Sequence, residues 1–146
     1  MNFKSAQSIL LIITLYSNCY CIGGKNKFDK QGQRHGRWIT YHDSTKTTAV
    51  SKGRYRHGKE CRTWKYYTHE GIVYKKEKYR RKNNTIVTTF YHPNGKIQSK
   101  GIAKMVEETD GTHYYWEGEW EYYSQEGKPI KTVLYKEGKQ VGITKY

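Results

Sequence analysis

Trp64-Lys65-Tyr66-Tyr67-Thr68-His69-Glu70-Gly71 returns later in this chain as Trp120-Glu121-Tyr122-Tyr123-Ser124-Gln125-Glu126-Gly127. A weaker copy, Thr88-Thr89-Phe90-Tyr91-His92-Pro93-Asn94-Gly95, lies between them, and an earlier one runs from Trp38 through Tyr41. The anchors Trp38, Trp64, Thr88 and Trp120 are spaced 26, 24 and 32 residues apart. A second mark, Tyr55, Tyr79 and Tyr135, stands nine residues ahead of Trp64, Thr88 and Thr144. Self-similarity at such a period means one small supersecondary unit stacked several times. Arrays of this kind present extended surfaces more readily than a single deep cleft, which counts against an enzyme.

The residue types decide what the unit is made of. Three of the four leucines (Leu10, Leu11 and Leu15) lie near the start, and only Leu134 remains in the repeats. Tyr, Trp and Thr are abundant there, and these fit a pleated, half-buried surface, whereas Leu and Ala build helices. The repeats therefore read as all-β with a thin, aromatic core. Gly58, Gly71, Gly95, Gly111, Gly127 and Gly138 mark the turns.

Asn94-Gly95 and Asp110-Gly111 favour two-residue type I′ turns, because both central positions need positive φ. Centring a turn on Asp110-Gly111 pairs Met105 with Trp116, Ala103 with Gly118, Gly101 with Trp120 and Ser99 with Tyr122. The opposite face then pairs Lys104 with Glu117 and Lys100 with Glu121. A one-residue slip would bury those charges. The Asn94-Gly95 turn sets Phe90 across from Ser99 and Thr88 across from Gly101. The predicted fold is thus a tandem array of β-hairpins in an elongated, twisted antiparallel meander over 32–146, about four units and a C-terminal partial one. Residues 22–31 read as a linker. Trp38, Trp64, Phe90, Trp116 and Trp120 hold the inner face. One conflict stands out: around Glu70-Gly71 the same register puts Lys75 and Glu77 on the face of Trp64 and Tyr66, which makes sense if that face is open to water or to a partner.

These residues carry a resemblance. Gly-x-x-x-Gly-x-Trp-x-x-Tyr at Gly32, Gly36, Trp38 and Tyr41, and Tyr-Tyr-x-x-x-Gly-Lys ending at Lys128, resemble the MORN-repeat variant of many bacterial envelope proteins, over about residues 28–146. Arg62 stands where Gly36 stands in the first copy, Thr88 replaces the tryptophan, and the third connection is longer. The resemblance implies β-hairpin units with a binding or scaffolding role and no catalytic residues. It also implies an alternative, a cytoplasmic antitoxin-like binding protein, since some relatives of the variant are of that kind.

Residues 1–21 have the form of a secretion signal: Lys4, then the apolar run Ile9 to Tyr16, then small residues. The run is shorter than the roughly 20 residues a transmembrane helix needs, so no membrane span is expected. This places the chain outside the cytoplasm, secreted, periplasmic or envelope-associated. Acylation of Cys19 as a lipoprotein is the alternative, and Cys61 is either a free thiol or a partner for Cys19 or Cys21.

Charge is unevenly spread. Residues 22–104 hold 21 basic and 5 acidic side chains, and 105–127 hold 7 acidic and no basic ones. The dense stretch Lys75, Lys76, Lys78, Arg80, Arg81 and Lys82, with Arg54 and Arg56, is the candidate surface for an anionic partner: an envelope protein, lipid head groups or an acidic polymer. Lysines that keep sheet edges from pairing are the plainer explanation. Nucleic acid fits less well, because the leader takes the chain away from the genome. The acidic stretch invites head-to-tail self-association with the basic half. No catalytic, cofactor or metal site is expected. The histidines His42, His69 and His92 recur with the repeat, and Glu107-Glu108-Thr109-Asp110 lacks the spacing of a calcium loop.

Overall fold

The computed structural model describes residues 24–109 and 111–146. The expected leader and Cys19 lie outside the described residues. Ten strands follow one another in a single sheet: β1 (Lys27–Phe28), β2 (Arg34–Tyr41), β3 (Ala49–Arg56), β4 (Lys59–Tyr67), β5 (Val73–Arg80), β6 (Thr85–Tyr91), β7 (Ile97–Glu108), β8 (Gly111–Tyr123), β9 (Pro129–Lys136) and β10 (Lys139–Lys145). Every strand pairs antiparallel with its sequence neighbours, and β1 and β10 form the edges. The all-β meander of hairpins is therefore what the chain adopts. Among the described residues the one helical element is a 3-10 turn, Arg81–Asn83, between β5 and β6. Residues 22–31, read as a linker, contribute β1, which pairs with His35 and Arg34 and sets Phe28 edge-on against Trp38 at 5.3 Å.

A row of directly paired residues crosses the inner face and carries the repeat's anchors. It runs Trp38–Gly53 between β2 and β3, Trp64–Glu77–Thr88–Gly101 across β4 to β7, and Trp120–Val133–Ile143 across β8 to β10. Between the pairs Lys100–Glu121 and Ile102–Glu117, the single residue Gly101 faces three residues of β8, Gly118, Glu119 and Trp120. Between Lys52–Lys65 and Arg54–Cys61, Gly53 faces Arg62, Thr63 and Trp64 in the same way. Each bulge opens on a left-handed residue, Gly118 (φ 74°) or Arg62 (φ 61°), and Gly36 (φ 78°) stands equivalently before Trp38. Such a bulge bends its strand and re-aims a side chain.

Here it lays the indole flat over the glycine. A methyl carbon on Gly53 would overlap the Trp64 ring, and one on Gly101 the Trp120 ring. Each indole N–H then donates to the next carbonyl, Trp64 to Arg54 (3.2 Å) and Trp120 to Ile102 (3.1 Å). Trp120 is fully buried and Trp64 nearly so. Burying one such ring, about 150–250 Å² of surface, contributes on the order of 4–6 kcal/mol. Trp116 stacks on Trp120 with ring centroids 3.9 Å apart, and Tyr135 meets it edge-on at 5.1 Å.

The β8 bulge corrects the expected register. Ser99–Tyr122 and Lys100–Glu121 pair as expected, but beyond the bulge every pair moves by two. Ala103 meets Trp116, Met105 meets Tyr114, and Glu108 meets Gly111. The pairing of β7 with β8 is thus not centred on Asp110-Gly111 as expected. Because the shift is even, no side chain changes face, and Lys104 still reaches Glu117, now diagonally, at 3.0 Å.

The turn at Asn94-Gly95 is also of another type. Pairing of Phe90 with Ser99 and Thr88 with Gly101 stands as expected. However, His92 N–H bonds the Lys96 carbonyl at 2.8 Å, Gly95 N–H bonds the His92 carbonyl at 2.8 Å, and only the glycine is left-handed. Pro93 presets the first turn position, so the loop has three residues and a terminal glycine bulge. Thr68–Ile72 and Ser124–Lys128 repeat this pattern.

Gly101→Ala is expected to lower unfolding free energy by about 1–3 kcal/mol, since the core must shift to admit the methyl group. Gly142→Ala, which meets Leu134 at an ordinary 3.5 Å, should change it by less than about 0.5 kcal/mol. Urea unfolding compares the two.

Candidate functional site

Two surfaces of this sheet have distinct chemistry. On the outer face, Lys52 pairs directly with Lys65, and Lys65 with Lys76. Two residues along β3, Arg37 pairs with Arg54 on the same face. Like charges directly opposite one another destabilise a sheet, so this ladder is not what stability alone would select. Part of the cost is offset by tyrosine rings on the neighbouring strand. Lys52 Nζ lies 5.0 Å from the Tyr67 ring, Lys76 Nζ 5.9 Å from Tyr91, and Lys100 Nζ 5.6 Å from Tyr123. The pairing recurs in three units, each time between a strand lysine and the last tyrosine before the wide turn.

Strand alternation sorts the expected basic residues. Arg54, Arg56, Lys76, Lys78 and Arg80 share the outer face with Lys52 and Lys65. Lys75 is on the inner face, bound to Glu77 at 3.0 Å. Arg81 turns its guanidinium onto the carbonyls of Arg56 (3.3 Å) and Glu60 (3.4 Å) and ties two turns together, while Lys82 is exposed in the same turn. Arg37, Lys52 and Lys65 were not singled out from the sequence. Linear charge density misses them; cross-strand register brings them in. In the acidic stretch, Glu121 pairs with Lys100 at 2.9 Å and Glu117 with Lys104 at 3.0 Å, so part of it is matched within the chain.

The inner face holds the second feature, at the third unit. Where other units set a tryptophan over a glycine, this one has Thr88 and Glu77, and β5 and β6 pair with no bulge. A cavity of 440 Å³ opens there, lined among others by Glu60, Tyr66, Lys75, Glu77, Tyr79, Thr88, Tyr114 and Trp116. The Glu77 side chain is only 14% exposed and that of Lys75 22%. The Glu77 carboxylate accepts from Tyr66 Oη at 2.6 Å, from Lys75 Nζ at 3.0 Å and from Tyr79 Oη at 3.4 Å. Lys75 Nζ also stands 3.9 Å from the centre of the Tyr66 ring. Burial, and then the Glu77 carboxylate, push the Tyr66 and Tyr79 phenols well above their ordinary values, so both stay protonated. A neighbouring cavity of 360 Å³ shares Glu60, Tyr79 and Tyr114. The lining of the first cavity includes no serine, cysteine or histidine to act as nucleophile or imidazole base.

Asp29, His35 and His57 meet where the Asp29–Gln33 loop reaches the His57-Gly58 turn, with ligand atoms all within 4.8 Å. Two imidazoles and a carboxylate are a donor set suited to a transition metal, and sequence spacing gave no sign of the cluster. Asp29 already has structural partners: Oδ1 accepts from the N–H of Gln31 (3.0 Å) and Gln33 (2.9 Å), and Oδ2 meets His57 Nδ1 at 2.9 Å. His42 and His69 stack at 3.8 Å across adjacent turns, and His92 Nε2 meets the Tyr123 carbonyl at 2.9 Å. Cys61 lies half-buried on β4 and has no disulfide partner among the described residues. Among the described residues no helix is long and apolar enough to cross a membrane.

Comparison with protein families finds the MORN repeat variant at residues 85–104 and 116–137. Each match takes in a hairpin with its wide turn, β6–β7 and β8–β9. Residues 85–104 and 116–137 thus match the MORN repeat variant, and such repeats suggest a repeat-based binding module. Searches of curated proteins and of solved structures returned no significant match.

The Gln33 N–H first, then His57 and the Gln31 N–H, hold the Asp29 carboxyl below its ordinary 3.8. A group depressed on folding contributes stability above its unfolded pKa and loses it as pH falls through the folded one. Asp29→Asn should therefore lower the melting temperature at about pH 6, and the difference from the parent should vanish near pH 2. Thermal melts at both pH values measure this.

Proposed function

We propose that the chain is an exported, envelope-associated binding or scaffolding module that docks an anionic surface through the outer face of β2 to β5. The observation that carries this is the unbroken Lys52–Lys65–Lys76 ladder beside Arg37–Arg54. Its like-charge repulsion is relieved when a polyanion lies across it. The leader-like start supports an extracytoplasmic location. The partner is a phosphate- or carboxylate-rich surface: anionic lipid head groups, an acidic envelope polymer or the acidic face of an envelope protein.

Vesicles of anionic phospholipid supply the test. The protein should sediment with phosphatidylglycerol vesicles at low salt and be released at high salt, because surface charges are screened within about a Debye length. Lys65→Gln/Lys76→Gln should weaken binding by about 2 kcal/mol, roughly 30-fold, while leaving folding stability unchanged or raised as the ladder's repulsion falls. Binding that ignores salt, or a variant that binds as the parent does, overturns the reading.

A further inference from the structure

The cavity at Glu77 is a repeat unit unmade at three linked positions. Glu77 replaces the small residue, Thr88 replaces the indole that would cover it, and the bulge that aims the indole is missing. A core carboxylate costs several kcal/mol to desolvate unless well paired, and no other member of the anchor row is charged, although Arg34 and Lys131 stack their cations on rings elsewhere on this face. Departures from a local rule at a core position concentrate where function needs them.

The chemistry of the cavity is specific. Glu77 offers a desolvated carboxylate, Tyr66, Tyr79 and Trp116 supply ring faces and protonated hydroxyls, and Glu60 adds a second carboxylate on the rim. In a strongly basic chain this is a place with more acid than base. It already holds one ammonium group: Lys75 Nζ sits 3.0 Å from Glu77 Oε1 and 3.9 Å from the centre of the Tyr66 ring. A carboxylate below and an aromatic face beside a cation is the arrangement that recognises alkylammonium ions. Lys75 is 22% exposed on a flexible stem, so it can swing out to solvent.

We propose that the Glu77 cavity binds a primary alkylammonium group from a ligand, with Lys75 as the internal occupant that the ligand displaces. The site lies on the face opposite the basic ladder, so the two proposals stand or fall separately.

The test is calorimetric titration of the folded protein with n-butylammonium and with its neutral counterpart n-butanol. Butylammonium is expected to bind at least tenfold more tightly than the alcohol. Lys75→Met, which removes the competitor, should tighten it several-fold, and Glu77→Gln should weaken it at least tenfold. Near-ultraviolet circular dichroism from the stacked tryptophans reports whether each variant keeps its fold, and the comparison of amine with alcohol needs no variant. Equal binding of the two probes, or no amine binding by either the parent or a folded Lys75→Met, overturns the proposal. Parallel titrations with 1,4-diaminobutane and with N-acetyl-lysine methylamide separate a free amine from a lysine side chain as the natural source; both bind if the proposal holds, and the tighter names the source.

Discussion

An indole lying flat over a glycine on the preceding strand is the contact on which this sheet depends. A single-layer sheet has no second layer to cover its apolar face, so each unit must close that face with its own side chains. Trp64 over Gly53 and Trp120 over Gly101 do so by removing the Cβ beneath the ring. The N–H then satisfies the neighbouring carbonyl, so the ring brings no unpaired polar atom into the core. The left-handed bulge residue two positions earlier aims the ring. Glycine, bulge and indole form one device, and none of the three has a purpose without the others.

Seen this way, the third unit is one coordinated change. A tryptophan at 88 could not lie over Glu77, and without the tryptophan there is no reason for a bulge. The face is nonetheless continuous on either side: Ile86 and Ala103 are buried, and Trp116 and Phe90 close in from the flanks. The cavity therefore has firm walls, and its floor is a carboxylate held by two phenols and an ammonium group.

Much of this was legible in the chain. Repeat period, tyrosine and tryptophan content and turn glycines led to a hairpin meander, and the odd placement of Lys75 and Glu77 beside Trp64 and Tyr66 marked the site as a conflict before any coordinate was known. What was not legible were the bulges. Arg62 in the place of Gly36 reads as a loss of the motif, yet Arg62 adopts the same left-handed backbone (φ 61° against 78°) and opens the same kind of bulge. The two residues that β8 spends at its bulge do not show in a pattern of period two, so the register beyond Gly101 was misplaced by two while every face assignment survived. The Asp29–His35–His57 cluster was equally hidden, since it joins three loops and strand ends that no spacing rule connects.

The outer face follows from the same architecture. A sheet with one covered face leaves the other to water, and there charge can be arranged without regard to packing. On β7 and β8 the arrangement is balanced, lysine against glutamate, directly at Lys100–Glu121 and diagonally at Lys104–Glu117. On β3 to β5 it is not: Lys52, Lys65 and Lys76 stand in line, and tyrosine rings relieve Lys52 and Lys76. If solubility were the whole account, alternating signs would serve it with less repulsion, as β7 and β8 demonstrate within the same molecule. The contrast between the two halves of one face, built from the same repeat, is the reason to read the basic half as a surface kept for a partner.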